Sequence, residues 1–395
     1  MGTRNDDISL ILAKAKKQGF LPDVSDSEVD ILSAEASEIF KSDYSLGGLS
    51  LVTNPANFNK IRSKFAGVRN GTTNAKILCL GDSTTWGAKA NGGVNDTLSS
   101  YPQRLATQLN SFHIASSVTF HIPQSFHASD VDSRWVYGTS WSKGPSGFGN
   151  GSAASGTVGA GNLTFTPGYN CDTFEVYYIA NGGTCQASIN GGAATPLSGS
   201  GGTIQKVTLT VAAGGSNILT VNTVTTATVH IIGVEAYLST EKKVRVGNAG
   251  VSGSTATHWA TAGTNYIPAE CIKAFAPDLS IIMLGINDAL GFRTVAQFEA
   301  DILKTVDAAK ISGDVILCSV VPSSYISASG LEEQYRSSVQ ALATKNNFGY
   351  IDIFGRFGSY TTANSNGFMS DLVHPNGIGY TDIASAVSQV VKQIT

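Results

Sequence analysis

The sequence predicts an α/β fold in which helices cover both faces of a parallel sheet, interrupted by an inserted all-β sandwich. Two observations carry this expectation. Five short apolar runs, Lys76–Leu80, Val244–Asn248, Leu279–Leu284, Asp314–Val321 and Tyr350–Ile353, are each followed by a turn and a helical pattern. Strands that alternate with helices in this way build a parallel sheet. Between the first and second run, the 115 residues from Phe126 to Thr240 lose helical periodicity altogether.

The elements follow in order. Residues 1–70 hold two expected helices, Asp7–Gln18 and Ser27–Phe40, the second opened by the capping pattern Ser25-Asp26-Ser27-Glu28. The α/β region, 71–125 and 241–395, contributes the five strands and the helices Tyr101–Phe112, Tyr266–Phe275, Val295–Lys310, Leu331–Asn346 and Tyr380–Ile394. In the last helix Ile383, Val387, Val390, Val391 and Ile394 recur at helical spacing and are expected to pack on the sheet. The insertion, 126–240, carries 19 of the 43 glycines and only eight charged residues. Its runs Thr173–Ile179, Cys185–Ile189, Ile204–Val211, Asn217–Val221 and Thr228–Leu238 are rich in β-branched and aromatic residues between Gly-Gly or Asn-Gly turns. A stretch of this length exceeds any ordinary connection, so a sandwich is the economical reading.

Composition narrows the function classes. The 395 residues carry a formal charge of −3, which offers no broad basic field for nucleic acid. No apolar run approaches the roughly 18 residues that span a bilayer, and Met1–Phe20 lacks the apolar core and small-residue cleavage site of a secretory signal. Cys79, Cys171, Cys185, Cys271 and Cys318 show no metal-ligand spacing, so no metal and no cofactor are expected. Cys79 and Cys318 read as small buried hydrophobes, and Cys171 and Cys185 are candidates to face each other across a hairpin.

Chemistry concentrates where strands end. The first strand runs into Gly81-Asp82-Ser83-Thr84, the second into Gly247-Asn248-Ala249-Gly250-Val251-Ser252-Gly253, the third into Gly285-Ile286-Asn287-Asp288, and near the C-terminus lies Asp371-Leu372-Val373-His374. Open α/β sheets gather such positions in one crevice. A serine there needs a base, and the neutral imidazole of His374 suits the task. Asp371, three residues earlier, can hold the other ring nitrogen. Backbone N–H groups of Ser83 and Gly250 and the side-chain amide of Asn287 are the expected oxyanion donors. Glycine at 250 is expected to leave room for an approaching acyl group.

These four blocks, in this order and in these strand contexts, resemble the signature blocks of the SGNH (GDSL-like) hydrolases over about residues 75–112 and 244–394. The resemblance implies a flavodoxin-like three-layer α/β/α sandwich with a five-stranded parallel sheet, and metal-free hydrolysis of esters or thioesters. It implies Ser83 as nucleophile, His374 as general base and then acid, Asp371 as its orienter, and Gly250 and Asn287 as oxyanion donors. The inserted β-sandwich, jelly-roll-like, is similar to the accessory domains of carbohydrate O-acetylesterases, including phage tail-associated deacetylases.

The expected activity is therefore removal of O-acetyl groups from a glycan or bacterial surface polysaccharide, with the alternatives of a lipid esterase or thioesterase and of a non-catalytic glycan-binding adhesin or tail receptor-binding protein. Expected partners are the acetylated glycan and, through residues 1–70, a homo-oligomer or virion tail acting outside the cell. Trp86 and Trp259 are candidate walls of the substrate site. His258 is the rival base, but no Asp lies at the required spacing. Asp82 and Asp288 are expected to make buried structural hydrogen bonds, and His113, His121, His127 and His230 to play packing or surface roles.

Overall fold

The computed structural model describes residues 50–51, 55–123, 132–144, 146–199, 202–212, 215–261, 268–325 and 329–394. The helices expected at Asp7–Gln18 and Ser27–Phe40, and His127, lie outside them. In chain order the strands are β1 (Ser50–Leu51), β2 (Ala75–Gly81), β3 (Ser116–His121), β4 (Trp135–Tyr137), β5 (Trp141–Lys143), β6 (Ala154–Gly156), β7 (Leu163–Phe165), β8 (Thr173–Ile179), β9 (Thr184–Ile189), β10 (Thr195–Ser198), β11 (Gln205–Thr210), β12 (Leu219–Thr225), β13 (Val229–Tyr237), β14 (Val244–Gly250), β15 (Leu279–Met283), β16 (Asp314–Cys318) and β17 (Gly349–Ile351).

Six strands form a parallel sheet in the order β17-β16-β15-β2-β14-β3. Five are the expected runs. The sixth, β3, corrects the expected count of five: its sequence Ser-Ser-Val-Thr-Phe-His is too polar to read as a buried strand. Its polar residues are satisfied locally. Asn110 on the preceding helix accepts the Ser116 N–H at 2.8 Å and donates to the Ser116 carbonyl at 2.9 Å. Every residue of β14 and β15 is buried, as in a parallel sheet covered on both sides.

Helices supply that cover in two groups. Tyr101–Ser111 packs along Gly377–Gln393, while Val295–Ala309 packs against Ala256–Ala260, Pro268–Phe275 and Leu331–Asn346. In Gly377–Gln393 the apolar residues singled out by their spacing are all buried. Each contributes on the order of 1.5–3 kcal/mol relative to exposure.

The main sheet does not stop at β3. Strand β13 pairs antiparallel with β3 (Val234 opposite His121, Glu235 opposite Phe120) and carries the sheet into β8 and β11 and into β6 and β5. A second antiparallel sheet, β10-β9-β12-β7-β4, contributes to one buried cluster with this extension: Trp135, Phe165 and Leu219 come from one sheet, Phe174, Tyr178 and Ile231 from the other. The glycine-rich stretch thus shares a sheet with the α/β region, which removes the unpaired edge that β3 would otherwise expose. All five cysteines are buried and unbonded, and Cys185 lies opposite Leu197 in the β9–β10 register, not against Cys171.

Candidate active site

Register brings the strand ends together. Gly81 at the end of β2 lies level with Gly250 of β14 and Met283 of β15, so three chain segments leave the sheet side by side. The Val251 N–H donates to the Gly81 carbonyl at 3.1 Å and locks two of them. From β2 the chain turns at once into the short helix Ser83–Trp86. Asp82 caps it, its Oδ1 accepting the Thr84 N–H at 2.9 Å. A Cβ on Gly250 would lie 2.2 Å from the Trp86 nitrogen. Glycine is needed there because the helix Ser83–Trp86 presses on the strand end, which replaces the expected reason of room for an acyl group.

The fourth segment arrives from the other end of the chain. The loop Met369–Pro375 closes on itself through the Ser370 N–H, which donates to the His374 carbonyl at 2.9 Å. Asn376 then caps the helix Gly377–Gln393 through the N–H groups of Ile378 and Gly379. The Tyr380 hydroxyl donates to the Ala88 carbonyl at 2.7 Å and ties that helix to the segment just past the helix Ser83–Trp86.

This anchoring puts the His374 Nε2 2.9 Å from the Ser83 Oγ. Its Nδ1 lies 3.0 and 3.2 Å from the two Asp371 oxygens. With Nδ1 donating to the carboxylate, Nε2 is left as the acceptor for the serine hydroxyl. Burial alone would push the Asp371 carboxyl up, but the His374 ring and the backbone N–H groups of His374 (2.6 Å) and Val373 (2.8 Å) outweigh it and hold the group well below the usual carboxylate range. A charged carboxylate behind a neutral imidazole is the arrangement that stabilises imidazolium as it forms.

The residues expected as oxyanion donors, Asn287 and Gly250, are placed differently. Asn287 donates one Nδ2 hydrogen to the Ser254 carbonyl at 3.0 Å, which fixes the amide and leaves its second hydrogen for a ligand. The Gly250 N–H, in contrast, is committed to the Asn248 Oδ1 at 3.0 Å beneath the nucleophile helix. Three residues on, Gly253 is partly exposed and holds a left-handed φ of +75° in the turn next to Ser254. In the sequence it is the second glycine of Gly250-Val251-Ser252-Gly253, followed by small polar residues.

Other expectations sort as follows. Trp86 and Trp259 are only 2% and 1% exposed and belong to the main core, so neither offers a ring face to a ligand. His258 closes a capping box with Thr255, whose N–H donates to its Nδ1 at 3.1 Å. Burial, with Arg293 nearby, pushes its pKa down. Asp288 accepts the Ala256 N–H with both oxygens, at 3.1 and 2.9 Å, and so pins the chain beyond Gly253 to Asn287's helix. Burial raises the carboxyls of both Asp82 and Asp288 to about 6. His121 is buried against Tyr169, His230 bonds Ser155, and His113 is exposed. Among the described residues no group of three or more His, Cys, Asp or Glu is placed to hold a metal ion. Nor, among them, is any helix long and apolar enough to cross a membrane.

Residues 232–381 match the model of the GDSL-like Lipase/Acylhydrolase family. Residues 232–381 are thus similar to a GDSL-like hydrolase domain. The matched stretch holds Gly253, Asn287, Asp371 and His374, while Ser83 lies ahead of the inserted strands. A domain of this family marks the chain as a carboxylic ester hydrolase. A solved peptidoglycan O-acetylesterase is similar in fold, at TM-score 0.68 and 16% identity, over 88% of this chain and 99% of its own. A family two carbohydrate esterase from Clostridium thermocellum, solved as an active site mutant, is 13% identical over 66% of this chain and 98% of its own at TM-score 0.31. A carbohydrate esterase family 3 member from Talaromyces cellulolyticus is 21% identical over 39% and 72% at TM-score 0.31. No curated protein matches the sequence.

Proposed function

We propose that this GDSL-like hydrolase is a serine esterase that removes short acyl groups, O-acetyl foremost, from a carbohydrate polymer through an acyl-enzyme. The observation that carries the reading is the unbroken line Ser83 Oγ, His374 Nε2, His374 Nδ1, Asp371, with spacings of 2.9 and 3.0 Å. Ser83 attacks the ester carbonyl as its proton passes to Nε2, and the negative charge moves to the carbonyl oxygen. Donors for that oxygen in this reading are the N–H of Ser83, which as first residue of its helix has no helical acceptor, the N–H of Gly253 and the free Nδ2 hydrogen of Asn287. Collapse expels the sugar alkoxide, which takes the proton back from His374. Water then gives its proton to Nε2, attacks the acyl-enzyme and releases acetate, and Ser83 regains its proton.

The carbohydrate part of the reading is supported by the fold similarity to a peptidoglycan O-acetylesterase, which extends across the β-rich region as well as the hydrolase core. In the same reading 71–125 and 241–395 form the catalytic region, 126–240 is a glycan-gripping sandwich, and 1–70 is an extension outside the chemistry. The experiment is acetate release from a panel of acetylated polysaccharides, with p-nitrophenyl acetate as the generic ester. Wild type releases acetate from at least one polymer, and Ser83→Ala falls to background on every substrate. Undiminished turnover by that variant sinks the nucleophile, and cleavage of long-chain lipid esters in preference to any acetylated glycan sinks the substrate class.

A further inference from the structure

The acid–base role of His374 fixes where the leaving group sits. The imidazole hands its proton to the departing alcohol oxygen, so that alcohol lies on the imidazole's side of Ser83, over the loop that carries Asp371 and His374. The acyl group lies toward the oxyanion donors. What covers the imidazole's side therefore reads the alcohol and not the acid.

Two exposed side chains lie on or next to that loop, on fixed backbone. Leu372, between the two catalytic-site residues of its loop, is 42% exposed. Its carbonyl accepts the Ser324 N–H at 2.8 Å, which draws in the segment that follows β16. The preceding N–H, of Ser323, donates to Glu332 Oε1 at 3.0 Å, and Glu332 is itself buried on the helix Leu331–Asn346. Two successive amides are thus pinned, one to the catalytic loop and one to the scaffold. The next residue, Tyr325, is 64% exposed. A large aromatic left in water one residue past a backbone bond to an exposed leucine, on a doubly anchored segment, is suited to serve as an apolar shelf.

We infer that Tyr325, with Leu372, forms a stacking platform for the pyranose ring of the leaving sugar and so sets the enzyme's preference for sugar esters. A pyranose offers a face of C–H groups, which an aromatic ring accommodates, and hydroxyls that stay in water at the rim. This inference rests on the esterase reading above and deepens it. Tyr325 acts on affinity for the alcohol and has no part in bond making.

The test compares two acetate esters that share an acyl group and differ in the alcohol: glucose pentaacetate, whose ring reaches the shelf, and ethyl acetate, whose alcohol is too small. Acetate release is followed by pH-stat to avoid an aromatic leaving group. Tyr325→Ala is expected to lose about tenfold in kcat/KM on the sugar ester, mostly as a raised KM, on the scale of one lost aromatic contact. Its rate on ethyl acetate stays within about twofold of wild type, and Tyr325→Trp keeps the sugar activity. Equal losses on both esters, or none on the sugar ester, overturn the platform while leaving the esterase standing. A wild-type enzyme that cleaves neither overturns both readings.

Discussion

Beside Ser83 sits an acid that the proposed chemistry does not use. Asp82 is 1% exposed; one oxygen accepts the Thr84 N–H and the other is buried with no hydrogen-bond partner. Burial raises its pKa to about 6, against the opposing pull of the Thr84 N–H and of nearby His374. The ordinary value is about 3.9, so between roughly pH 4 and 6 the folded protein holds a proton that the unfolded chain releases. The sign follows: this group makes the fold more stable as pH falls through that window and less stable above it. Asp82→Asn keeps the capping oxygen and removes the buried charge. Its melting temperature is expected to exceed that of wild type at pH 7.5, with the gap closing as pH falls to about 4. Asp288, raised to about 6 as well, leaves a residual slope of the same sign in the variant. Identical melting profiles for the two proteins would show that Asp82 titrates as an ordinary carboxyl. At the same scale, Asn287→Ala removes one positioned donor and is expected to lower kcat by about 10² to 10³ with little change in KM. A fall in affinity with kcat intact would assign the amide to ground-state binding.

At the scale of elements, the helix Ser83–Trp86 and the end of β14 depend on each other. A methyl group on Gly250 would meet backbone at 2.2–2.7 Å, including the Trp86 nitrogen and the Thr85 carbonyl carbon, and neither can rotate away. Gly250→Ala therefore has to push the nucleophile helix off the sheet. The expected cost is about 1–3 kcal/mol of stability, on the scale of overpacking. A displacement of Ser83 by about 1 Å should cost about 10²-fold in turnover. Melting and kcat on the same preparation check this; a stable, fully active variant would show that helix and strand can separate freely. The same pair of elements marks how far the sequence could be read. Long apolar runs bounded by turns, such as Leu279–Met283, announce themselves because burial on both faces demands uninterrupted hydrophobes. Strand β3 does not, because Ser116 and Thr119 are satisfied by partners outside the strand, Ser116 nearby at Ala106 and Thr119 far along the chain at Glu235. The three-residue strands β4 to β7 are too short for any period to register. Ser83, Asn287, Asp371 and His374 stand out in the sequence because the proposed chemistry needs a specific side chain at each. A choice between Gly250 and Gly253 as proposed donor does not, since a glycine contributes only its backbone, whose direction depends on the Asn248 side chain and the turn that follows.

Across the whole molecule, the decisive feature is that the inserted stretch and the hydrolase core share a sheet. Strand β13 hydrogen-bonds β3, and Phe120 of β3 packs edge-on against Phe148 and Tyr177, which both come from the inserted stretch. Glu235 of β13 is fully buried, 2.8 Å from Lys76 of β2 and 3.6 Å from Arg245 of β14. Excising residues 126–240 would strip these contacts together. Phe120 would be exposed on an unpaired edge, and Arg245 would lose the carboxylate that offsets its burial. The excised protein is expected to be insoluble or partly unfolded even though every proposed catalytic residue is kept. The substitution Glu235→Gln isolates the electrostatic part, since it preserves shape but leaves two cations facing a neutral amide, and a loss of several degrees in melting temperature is expected. Size-exclusion chromatography, circular dichroism and ethyl acetate turnover on both proteins decide the matter. A monomeric, folded and active excised form would mean that the β-rich stretch is an appendage. Aggregation of that form, with Glu235→Gln folded but less stable, would mean that the sheet continuing from β3 into β13 also holds the hydrolase core in place.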